Sequence, residues 1–474
     1  MKTIIGLEIH CQLTIATKLF CGCSTDYQND PPNTHVCPVC LGLPGTMPSI
    51  NRRAVEYALR VAKALNLEVP EVSEFARKNY FYPDLPKGYQ ITQYDKPLAV
   101  NGHFEIEGDG GVERKIRLTR IHLEEDPGRL VHKGGGDRPK YSLVDYNRSG
   151  IPLIEIVTEP DLRSPKEARR FINSLRTILE YLMVFDGERE GGLRIDANIS
   201  IEGSDRVEIK NISSYKGVEK ALTFEITRQK NLIRRGLKVV RETRHFQEAR
   251  GITTSSRSKE EEHDYRYFPE PDLSPLMVHG WLESIDLPEL PTARRDRFMR
   301  DYGISLNHAR TLTGAIRLAD FYERVAMELE PVFAATWVAD TLLGEVNYRG
   351  MDISEVRPEP FIDLIRIVAE GAVTDRNAVD VLRIMLDQCM EGQISEAPSE
   401  IITRLNLGKT AGDDYAEIIM EVISAHPQAV EDLGSGRKEA LNFLVGQVMK
   451  VTRGRADPQE LSRLIMDLLK KEGV

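Results

Sequence analysis

The chain has 474 residues, of which 41% are hydrophobic and 29% charged, and its formal net charge is −10. At about 100–200 residues per domain, this length predicts about three domains. No apolar run approaches the roughly 20 residues that span a bilayer, and the N-terminus, MKTIIGLEIH, lacks a signal-peptide pattern. These features exclude a membrane protein, a secreted disulfide-rich domain and a disordered tail protein. The acidic balance also disfavours a generic nucleic-acid coat.

The secondary-structure pattern of the sequence changes twice along the chain. Over residues 1–290, strand-like alternation and turn residues interleave with helical patterns. Two prolines in the segment LPELP, residues 287–291, then break the chain, and strand signals nearly vanish. A second break lies at residues 406–408. We therefore predict an α+β domain at 1–290, a helical domain at 291–406 and a helical tail at 407–474.

Several strands of the first domain alternate between apolar and polar side chains. The segments 5–13, 193–201 and 206–210 each carry charged residues on one face, and LIEIV at 153–157 holds one carboxylate, which is costly to bury unpaired. If these strands share a sheet, one face gathers repelling acids that a divalent ion would neutralise, and oxygen ligands suit magnesium. The alternative is an ordinary sheet with one wet face. The residues on that face are Glu8, His10, Glu155, Asp196, Glu208, Arg194 and Lys210.

Five of the six cysteines fall within the first 40 residues. Four of them form a C-x-C pair and a C-x-x-C pair, a pattern that suits tetrahedral zinc in a structural site. The alternative is a set of free or buried thiols. The predicted zinc loop at 21–40 carries Cys21, Cys23, Cys37 and Cys40.

Other motifs leave two interpretations open. The acids of HLEEDPG at 122–128 read as turn residues, and the tyrosine-rich loop at 78–89 and the charged aromatic segment at 260–272 fit either a site or a surface. Residues 226–250 hold eight Lys/Arg against two Glu, as in a solvated amphipathic helix or a phosphate-facing strip. Neither a P-loop nor a G-x-G-x-x-G fingerprint after a strand occurs, so any nucleotide site is not of those common types.

Several long segments resemble one family. GLEIHCQL at 6–13, HLEEDPG at 122–128 and LVDYNRSGIPLIEIVTEPDLRSPKEA at 143–168 are similar to GatB, the B-subunit of the aspartyl/glutamyl-tRNA amidotransferase. LRIDANIS at 193–200, EIKNISS at 208–214, DYRYFPEPDL at 264–273 and the tail FLVGQVMKVTRGRADP at 443–458 share the resemblance. It covers nearly the whole chain.

The resemblance implies a fold and an activity. The fold would be a glutamine-synthetase-like cradle, with a mixed or antiparallel sheet, followed by two all-α domains. The chain would use ATP and Mg²⁺ to phosphorylate the side-chain carboxylate of Glu-tRNA(Gln) or Asp-tRNA(Asn). Ammonia from the amidase partner, the A-subunit, would then arrive through a tunnel and form the amide. A small C-subunit would complete a cytoplasmic heterotrimer.

The same resemblance implies roles for individual residues. Magnesium would be held by Glu8, His10, Glu124 or Glu125, and Glu155, with Glu8, His10, Glu125, Glu155 and Arg194 as the catalytic set. Asp196, Glu208 and Lys210 would lie around ATP or a second ion. Lys78, Tyr80, Tyr82 and Lys87 would lie near the tunnel mouth, and the Zn²⁺ of the cysteines would be architectural. The tail would contact tRNA phosphate through Lys450, Arg453 and Arg455.

Three alternatives remain at this stage. The chain could be a non-catalytic, zinc-stabilised tRNA-binding scaffold, although that role leaves Glu155 in an apolar strand unexplained. It could be a free-standing ligase of the glutamine-synthetase type, which would need no helical tail. It could be the related archaeal E-subunit, which carries an inserted domain that residues 281–291 leave no room for.

Overall fold

In the computed structural model, the chain forms two compact units, Met1–Pro291 and Thr292–Val474. The structure describes all residues except 134–140, 188, 190, 257–264, 394–395, 410–414, 436, 453–454, 457 and 473–474. The first unit mixes strands and helices and the second is helical, which confirms the predicted fold class. Within the described residues, every helix is too short or too polar to span a bilayer.

The first unit is built around an eight-stranded sheet. Its described strands are β1 (Thr3–Gln12), β2 (Ala76–Asn79), β3 (Tyr89–Thr92), β4 (Ala99–Glu107), β5 (Glu113–Glu125), β6 (Arg129–Lys133), β7 (Tyr141–Asp145), β8 (Pro152–Thr158), β9 (Leu193–Ile201), β10 (Val207–Ile212), β11 (Glu242–Gln247), β12 (Ile252–Ser255) and β13 (Phe268–Pro269). The large sheet has the order β12-β11-β10-β9-β1-β8-β5-β4, and smaller sheets are formed by β13-β2-β3 and by β6-β7. In the large sheet, β10 and β11 pair in parallel and the other neighbours are antiparallel.

Helices accompany this sheet at α1 (Arg52–Ala64), α2 (Pro165–Tyr181), α3 (Tyr215–Arg234) and the short α4 (His279–Leu282). A polar side chain caps each of the three long helices at its N-terminus. The Ser164 side chain accepts from the Glu167 backbone N–H, with Pro165 at the first helical position. Asn51 and Ser214 cap α1 and α3 in the same way.

The core lies on one face of the large sheet. Ile5, Leu7 and Ile9 of β1 are at most 1% exposed, and they pack in one cluster with apolar side chains of α1, α2 and α3. Because side chains alternate along a strand, Glu8 and His10, which flank Ile9, point to the opposite face. The helices therefore cover one face and leave the other to polar groups.

The second unit is helical throughout its described residues. Its α-helices are α5 (Pro291–Tyr302), α6 (Leu306–Leu312), α7 (Ile316–Ala326), α8 (Pro331–Thr336), α9 (Leu343–Arg349), α10 (Pro358–Ala369), α11 (Asp375–Met390), α12 (Pro398–Arg404), α13 (Tyr415–Ala425), α14 (Pro427–Gly434), α15 (Lys438–Val451) and α16 (Pro458–Glu472). A π-helical segment, Trp337–Leu342, joins α8 to α9, and Ile353–Glu355 is a 3₁₀ turn.

Two separate clusters of buried apolar side chains lie in this unit. One runs from Phe298 to Ile401 and the other from Tyr415 to Leu469. The predicted boundary between residues 406 and 407 falls between them. The division into separate domains stays a proposal that these two clusters support.

Candidate active site and metal centres

Five neighbouring strands of the large sheet, β10, β9, β1, β8 and β5, bring the predicted acids together. In the register of β1, His10 lies opposite Glu155 of β8 and Arg194 of β9, and Glu8 lies opposite Asp196. Directly opposed residues of an antiparallel pair point to the same face. We call this surface the acidic face; its acids and histidines are Glu8, His10, His122, Glu124, Glu155, Asp196 and Glu208.

The first cluster on the acidic face contains His10, Glu124 and Glu155, whose potential ligand atoms all lie within 4.8 Å of one another. His10 Nε2 is 3.3 Å from Glu155 Oε2 and 3.9 Å from Glu124 Oε1. A further histidine, His122, lies opposite Glu155 on β5, with its Nε2 3.4 Å from Glu155 Oε2. The sequence interpretation assigned no role to His122.

The histidines offset the negative charge of this cluster. Burial alone would lower the pKa of His122, but the charge of Glu155 and a hydrogen bond with Glu124 raise it to about 9. Burial alone would raise the pKa of Glu155, but His122 and the hydrogen bond from His10 lower it well below its usual value. The cluster therefore keeps a carboxylate ionised in a buried place, which is the form that binds a cation.

The second cluster contains Glu8, Asp196 and Glu208, whose oxygens also lie within 4.8 Å of one another. Burial and then the charges of Glu155, Glu208 and Asp196 raise the pKa of Glu8. Lys210 partly offsets that repulsion, since its Nζ lies 3.4 Å from Asp196 Oδ2 and 3.1 Å from Glu208 Oε1. Asn198 also donates to Glu8 Oε1 at 2.9 Å.

Both clusters fit a hard divalent cation. Carboxylate oxygens are the ligands that Mg²⁺ prefers. Burial and the neighbouring acids raise the pKa of Glu8, and a bound cation would oppose both effects. The structure thus splits the predicted acids into two sets, with Glu8 in the second set rather than beside His10. Which of them hold magnesium stays a prediction.

Of the two glutamates that the sequence left open, Glu124 lies in the first cluster. Alternation along β5 sends Glu125 to the other face, where its carboxylate pairs with Lys87 and accepts from the Ile91 backbone N–H at 2.8 Å. The expectation that Glu125 acts with His10 and Glu155 does not fit this orientation. The correction follows from strand parity, because adjacent residues of one strand cannot share a face.

Arg194 reaches the acidic face from β9 and is held by Asp126. Its Nη2 donates to Asp126 Oδ1 at 2.5 Å, while Gln12 donates to Oδ2 at 2.5 Å. Asp126 is 0% exposed, and Arg148 Nε lies 3.7 Å from it. The sequence interpretation placed Asp126 among turn residues. Its position directly before Pro-Gly hid a buried carboxylate that orients a cation.

The tyrosine-rich loop divides between two places. Lys78 Nζ lies 4.7 Å from the ring centre of Tyr265 and 5.9 Å from that of Tyr80, and the charge of Glu124 raises the pKa of Lys78 against the effect of burial. Tyr82 is 57% exposed. Lys87, in contrast, lines a cavity of about 210 Å³ together with Glu125, on the far side of β5 from the first cluster.

The segment at 265–267 contributes rings that the sequence could not place. Tyr267 stacks on Tyr94 with ring centres 4.0 Å apart, and Tyr265 packs edge-on against both Tyr80 and Tyr267. These rings surround Lys78 beside the acidic face. The acidic part of the same motif, residues 260–264, lies outside the described residues.

Comparison with known proteins matches nearly the whole chain. The family model of the GatB/GatE catalytic domain matches residues 3–283, and that of the GatB domain matches residues 320–469. The B-subunit of the aspartyl/glutamyl-tRNA(Asn/Gln) amidotransferase of Methanoregula boonei is 66% identical over 475 residues, which cover 99% of this chain and 98% of the relative. The chain belongs to the GatB family.

A second protein of the same name, from Methanospirillum hungatei JF-1, is 63% identical over 472 residues, covering 100% of this chain and 99% of that protein. A third, from Methanococcoides burtonii, is 55% identical over 98% of both chains. The resemblance stated from the motifs is thereby confirmed. The GatB-domain match in the second unit and the names of these relatives favour GatB over the archaeal E-subunit.

The four cysteines of the predicted zinc loop, which we call the cysteine loop, also converge. Their sulfurs lie within 4.8 Å of one another, and all four are free of disulfides. The hydrogen bond from Cys21 and the charge of Lys18 lower the pKa of Cys40 to about 4, although burial acts in the opposite direction. Four thiol ligands at this spacing fit tetrahedral zinc.

Lys18 supports the same assignment. It is 0% exposed, and its ammonium donates to the carbonyls of His35 and Tyr146, at 2.7 and 3.3 Å, and to Cys40 Sγ at 3.7 Å. Among the described residues, no carboxylate forms an ion pair with it. A buried cation needs a nearby anion. A thiolate cluster holding Zn²⁺ carries net negative charge and meets that need, so the residues fit the metal.

The predicted tRNA contacts lie in the second unit. Lys450 is exposed near the end of α15, and Arg455 donates from Nε to the Thr452 carbonyl at 3.0 Å. Arg453 lies outside the described residues. Contact with tRNA through Lys450, Arg453 and Arg455 stays a prediction.

Proposed function

We propose that this chain is the part of a tRNA-dependent amidotransferase that activates the amino acid on misacylated tRNA. It would use ATP to phosphorylate the side-chain carboxylate of Glu-tRNA(Gln) or Asp-tRNA(Asn), and ammonia would then displace phosphate to give the amide. Family membership and the names of the close relatives support the tRNA-linked role. The acidic face supports the ATP-dependent step.

The two acid clusters would hold the magnesium that accompanies ATP. His10, Glu124 and Glu155 would bind one ion, and Glu8, Asp196 and Glu208 would lie around ATP or bind a second. Bound there, the metal would neutralise phosphate charge and set the geometry for in-line transfer.

The cations of the same face would oppose a specific electrostatic cost. The attacking carboxylate and the γ-phosphate of ATP are both anionic, so they repel each other as they approach. Arg194, held by Asp126, and Lys210, held by Asp196 and Glu208, can place positive charge beside the transferred group. No general base is required, since the carboxylate attacks in its ionised form.

Ammonia would come from a glutaminase partner, the amidase A-subunit, with a small C-subunit completing a heterotrimer in the cytoplasm. A buried route is needed because ammonia released into water is protonated and lost as a nucleophile. We assign the end of that route to the ring-lined surroundings of Lys78 beside the acidic face, and an earlier part of it to the Lys87–Glu125 pair on the other side of β5. The zinc of the cysteine loop would be structural, and the tail would bind tRNA.

The convergence of Glu155 with His10 and Glu124 is the observation that carries the proposal. We expect Glu155→Gln, in the full chain assembled with its partner subunits, to lower ATP-dependent amide formation on misacylated tRNA at least about 10³-fold. Glutamine keeps the shape of the side chain and removes the charge. Binding of tRNA should change less than about twofold.

The matched control is Glu105→Gln, on an exposed position of β4 in the same sheet. It removes the same charge outside both acid clusters, so its activity should equal that of the wild type. Normal turnover of Glu155→Gln would refute the magnesium assignment. Amide formation that does not depend on charged tRNA would instead indicate a free-standing ligase.

A further inference from the structure

The outer side of α3 carries a line of positive charge that the proposed chemistry does not use. Lys216, Lys220, Lys230 and Arg234 fall within an arc of about 80° when residues advance by about 100° each, and they extend over about 27 Å of helix. Between them the line carries only the short side chains of Thr223 and Thr227. We call these four cations the basic stripe.

The opposite side of α3 explains why the basic stripe faces outward. The helix packs onto the sheet through an arc that includes Val218, Ala221 and Leu222. Two other cations of residues 226–250 are already paired inside the protein. Arg228 and Arg244 both pair with the fully buried Glu225, and they are therefore unavailable to a partner.

The basic stripe keeps its charge available to a partner. Among the described residues, no acidic side chain forms an ion pair with any of its four members. Lys220 is close enough to Glu248 for its charge to lower the pKa of that carboxyl, but the Glu248 carboxylate accepts its hydrogen bonds from Ser213 and Ser214. Lys216, Lys220 and Arg234 are exposed and Lys230 is half-buried. Arg235 and Lys238, shortly after the helix, are exposed. Such a concentration of cations on a chain of net charge −10 creates a local field that attracts polyanions.

A groove follows the N-terminal half of the basic stripe. It has a volume of about 600 Å³, and its lining includes Arg169, Lys216, Lys220 and Gly251 of the turn between β11 and β12. The acid at its edge, Glu219, is already paired with Arg169 at 2.9 Å. The groove thus combines cations with the aromatic side chain of Phe224.

We propose that the basic stripe and its groove bind the phosphate backbone of RNA. Charge complementarity carries this assignment: flexible lysines in a line give sequence-independent contacts to successive phosphates. The proposal rests on the proposed function, which supplies tRNA as the polyanion. Because α3 lies on the helix-covered side of the sheet, the basic stripe holds a part of the RNA remote from the reacting end.

The test compares two triple variants of the full-length chain. The first is Lys220→Gln, Lys230→Gln and Arg234→Gln; the control, Lys2→Gln, Lys115→Gln and Lys133→Gln, removes three exposed positive charges of the same unit elsewhere. Binding of a fluorescent, unacylated tRNA transcript is followed by anisotropy at KCl concentrations from about 50 to about 200 mM, the range over which phosphate contacts weaken strongly. The thermal midpoint of each variant reports on folding.

We expect the stripe triple to bind the transcript about tenfold more weakly at about 100 mM KCl, and the slope of log Kd against log salt to fall by about two to three. The control should keep the wild-type slope to within about one. Equal slopes for the two triples would overturn the proposal. If the stripe triple no longer binds a polyglutamate peptide but binds tRNA as the wild type does, the surface binds an acidic protein instead.

This outcome is separable from the fate of the proposed function. The anisotropy experiment uses unacylated RNA and no ATP, so it reports on the basic stripe even if amide formation fails. Conversely, the stripe triple could keep the wild-type slope of log Kd against log salt while the enzyme still amidates charged tRNA normally. That result would refute only the basic-stripe assignment. In the assembled enzyme the stripe triple should raise KM for charged tRNA and leave kcat within about twofold of the wild type.

Discussion

The acidic face and the cysteine loop both gather groups that repel one another when ionised, yet they are assembled in different ways. The acidic face draws on five strands whose residues span positions 8 to 208, so only the register of the sheet brings them together. The cysteine loop draws on ligands within 20 residues of chain. One site depends on the whole fold, and the other helps to fasten a local part of it.

The two regions also differ in how they offset charge. At the acidic face, compensation comes from His10, His122 and Lys210, and two of these three groups are histidines, whose pKa values the neighbouring glutamates raise. In the cysteine loop it comes from one buried lysine, Lys18. The acidic face is therefore suited to cations that come and go with a nucleotide, and the loop is suited to a permanent ion.

The largest expected effect tests how charge is offset at the acidic face, and it concerns Asp126. We expect Asp126→Asn to lower amide formation about 10²-fold and the free energy of unfolding by about 2 kcal/mol, because Arg194 loses the charge that orients it. Activity at saturating tRNA and urea unfolding measure the two effects.

The control is Asp161→Asn, because the partner of Asp161, Arg117, is 62% exposed. This substitution should lower the free energy of unfolding by less than about 1 kcal/mol. If Asp126→Asn kept full activity with only a stability loss, Asp126 would be a purely structural residue. Recovery of activity in Asp126→Glu, which restores the charge, would identify it as a positioning residue.

The sequence predicted the parts that depend on alternation within one strand. Glu8 and His10, Asp196, and Glu155 each occupy a position whose neighbours are apolar, so their shared face followed once the strands were assigned to one sheet. The convergence of the four cysteines was equally accessible, since their spacing is local; the zinc itself stays a prediction.

The failures have a common physical cause. Glu124 and Glu125 could not be separated without knowing that β5 continues through both residues, because parity decides which one faces His10. Asp126 and Lys18 gave no sequence signal, since each is defined by partners that only the fold brings near. The three-domain division stays a prediction that the two cores of the second unit support.

A pH titration would sharpen the contrast between the two kinds of compensation. The pKa of His122 is raised from its ordinary 6.5 to about 9 by Glu155 and Glu124, despite burial. Its contribution to stability is therefore complete below about pH 6.5 and is lost as the pH rises to about 9. We expect metal-free wild-type protein to lose up to about 3 kcal/mol across this window by urea unfolding.

His122→Gln should flatten the profile, whereas His103→Gln, on β4 away from the acids, should leave it unchanged. Added Mg²⁺ should reduce the pH dependence in the wild type, because a bound cation takes over the role of the imidazolium. A wild-type profile as flat as that of His122→Gln would mean that His122 is neutral in the folded protein.

The smallest expected effect tests the permanent compensation by Lys18. Lys18→Met keeps the approximate length of the buried side chain and removes its charge, so the zinc–thiolate centre would face an apolar group instead of an ammonium. We expect zinc affinity, measured by competition with a chromogenic chelator, to fall about 10- to 100-fold, as is usual when a group that supports the ligands is lost.

Lys87→Met is the matched control, since Lys87 lines the same cavity as Lys18 and its side chain is only 7% exposed, but it pairs with Glu125 rather than with sulfur. It should leave zinc affinity unchanged, and equal losses in the two variants would point to a general effect of burying a methionine. With wild-type affinity in Lys18→Met, the lysine would be compensating something other than the metal site. Because the affinity is read from the metal alone, the result does not depend on amide formation.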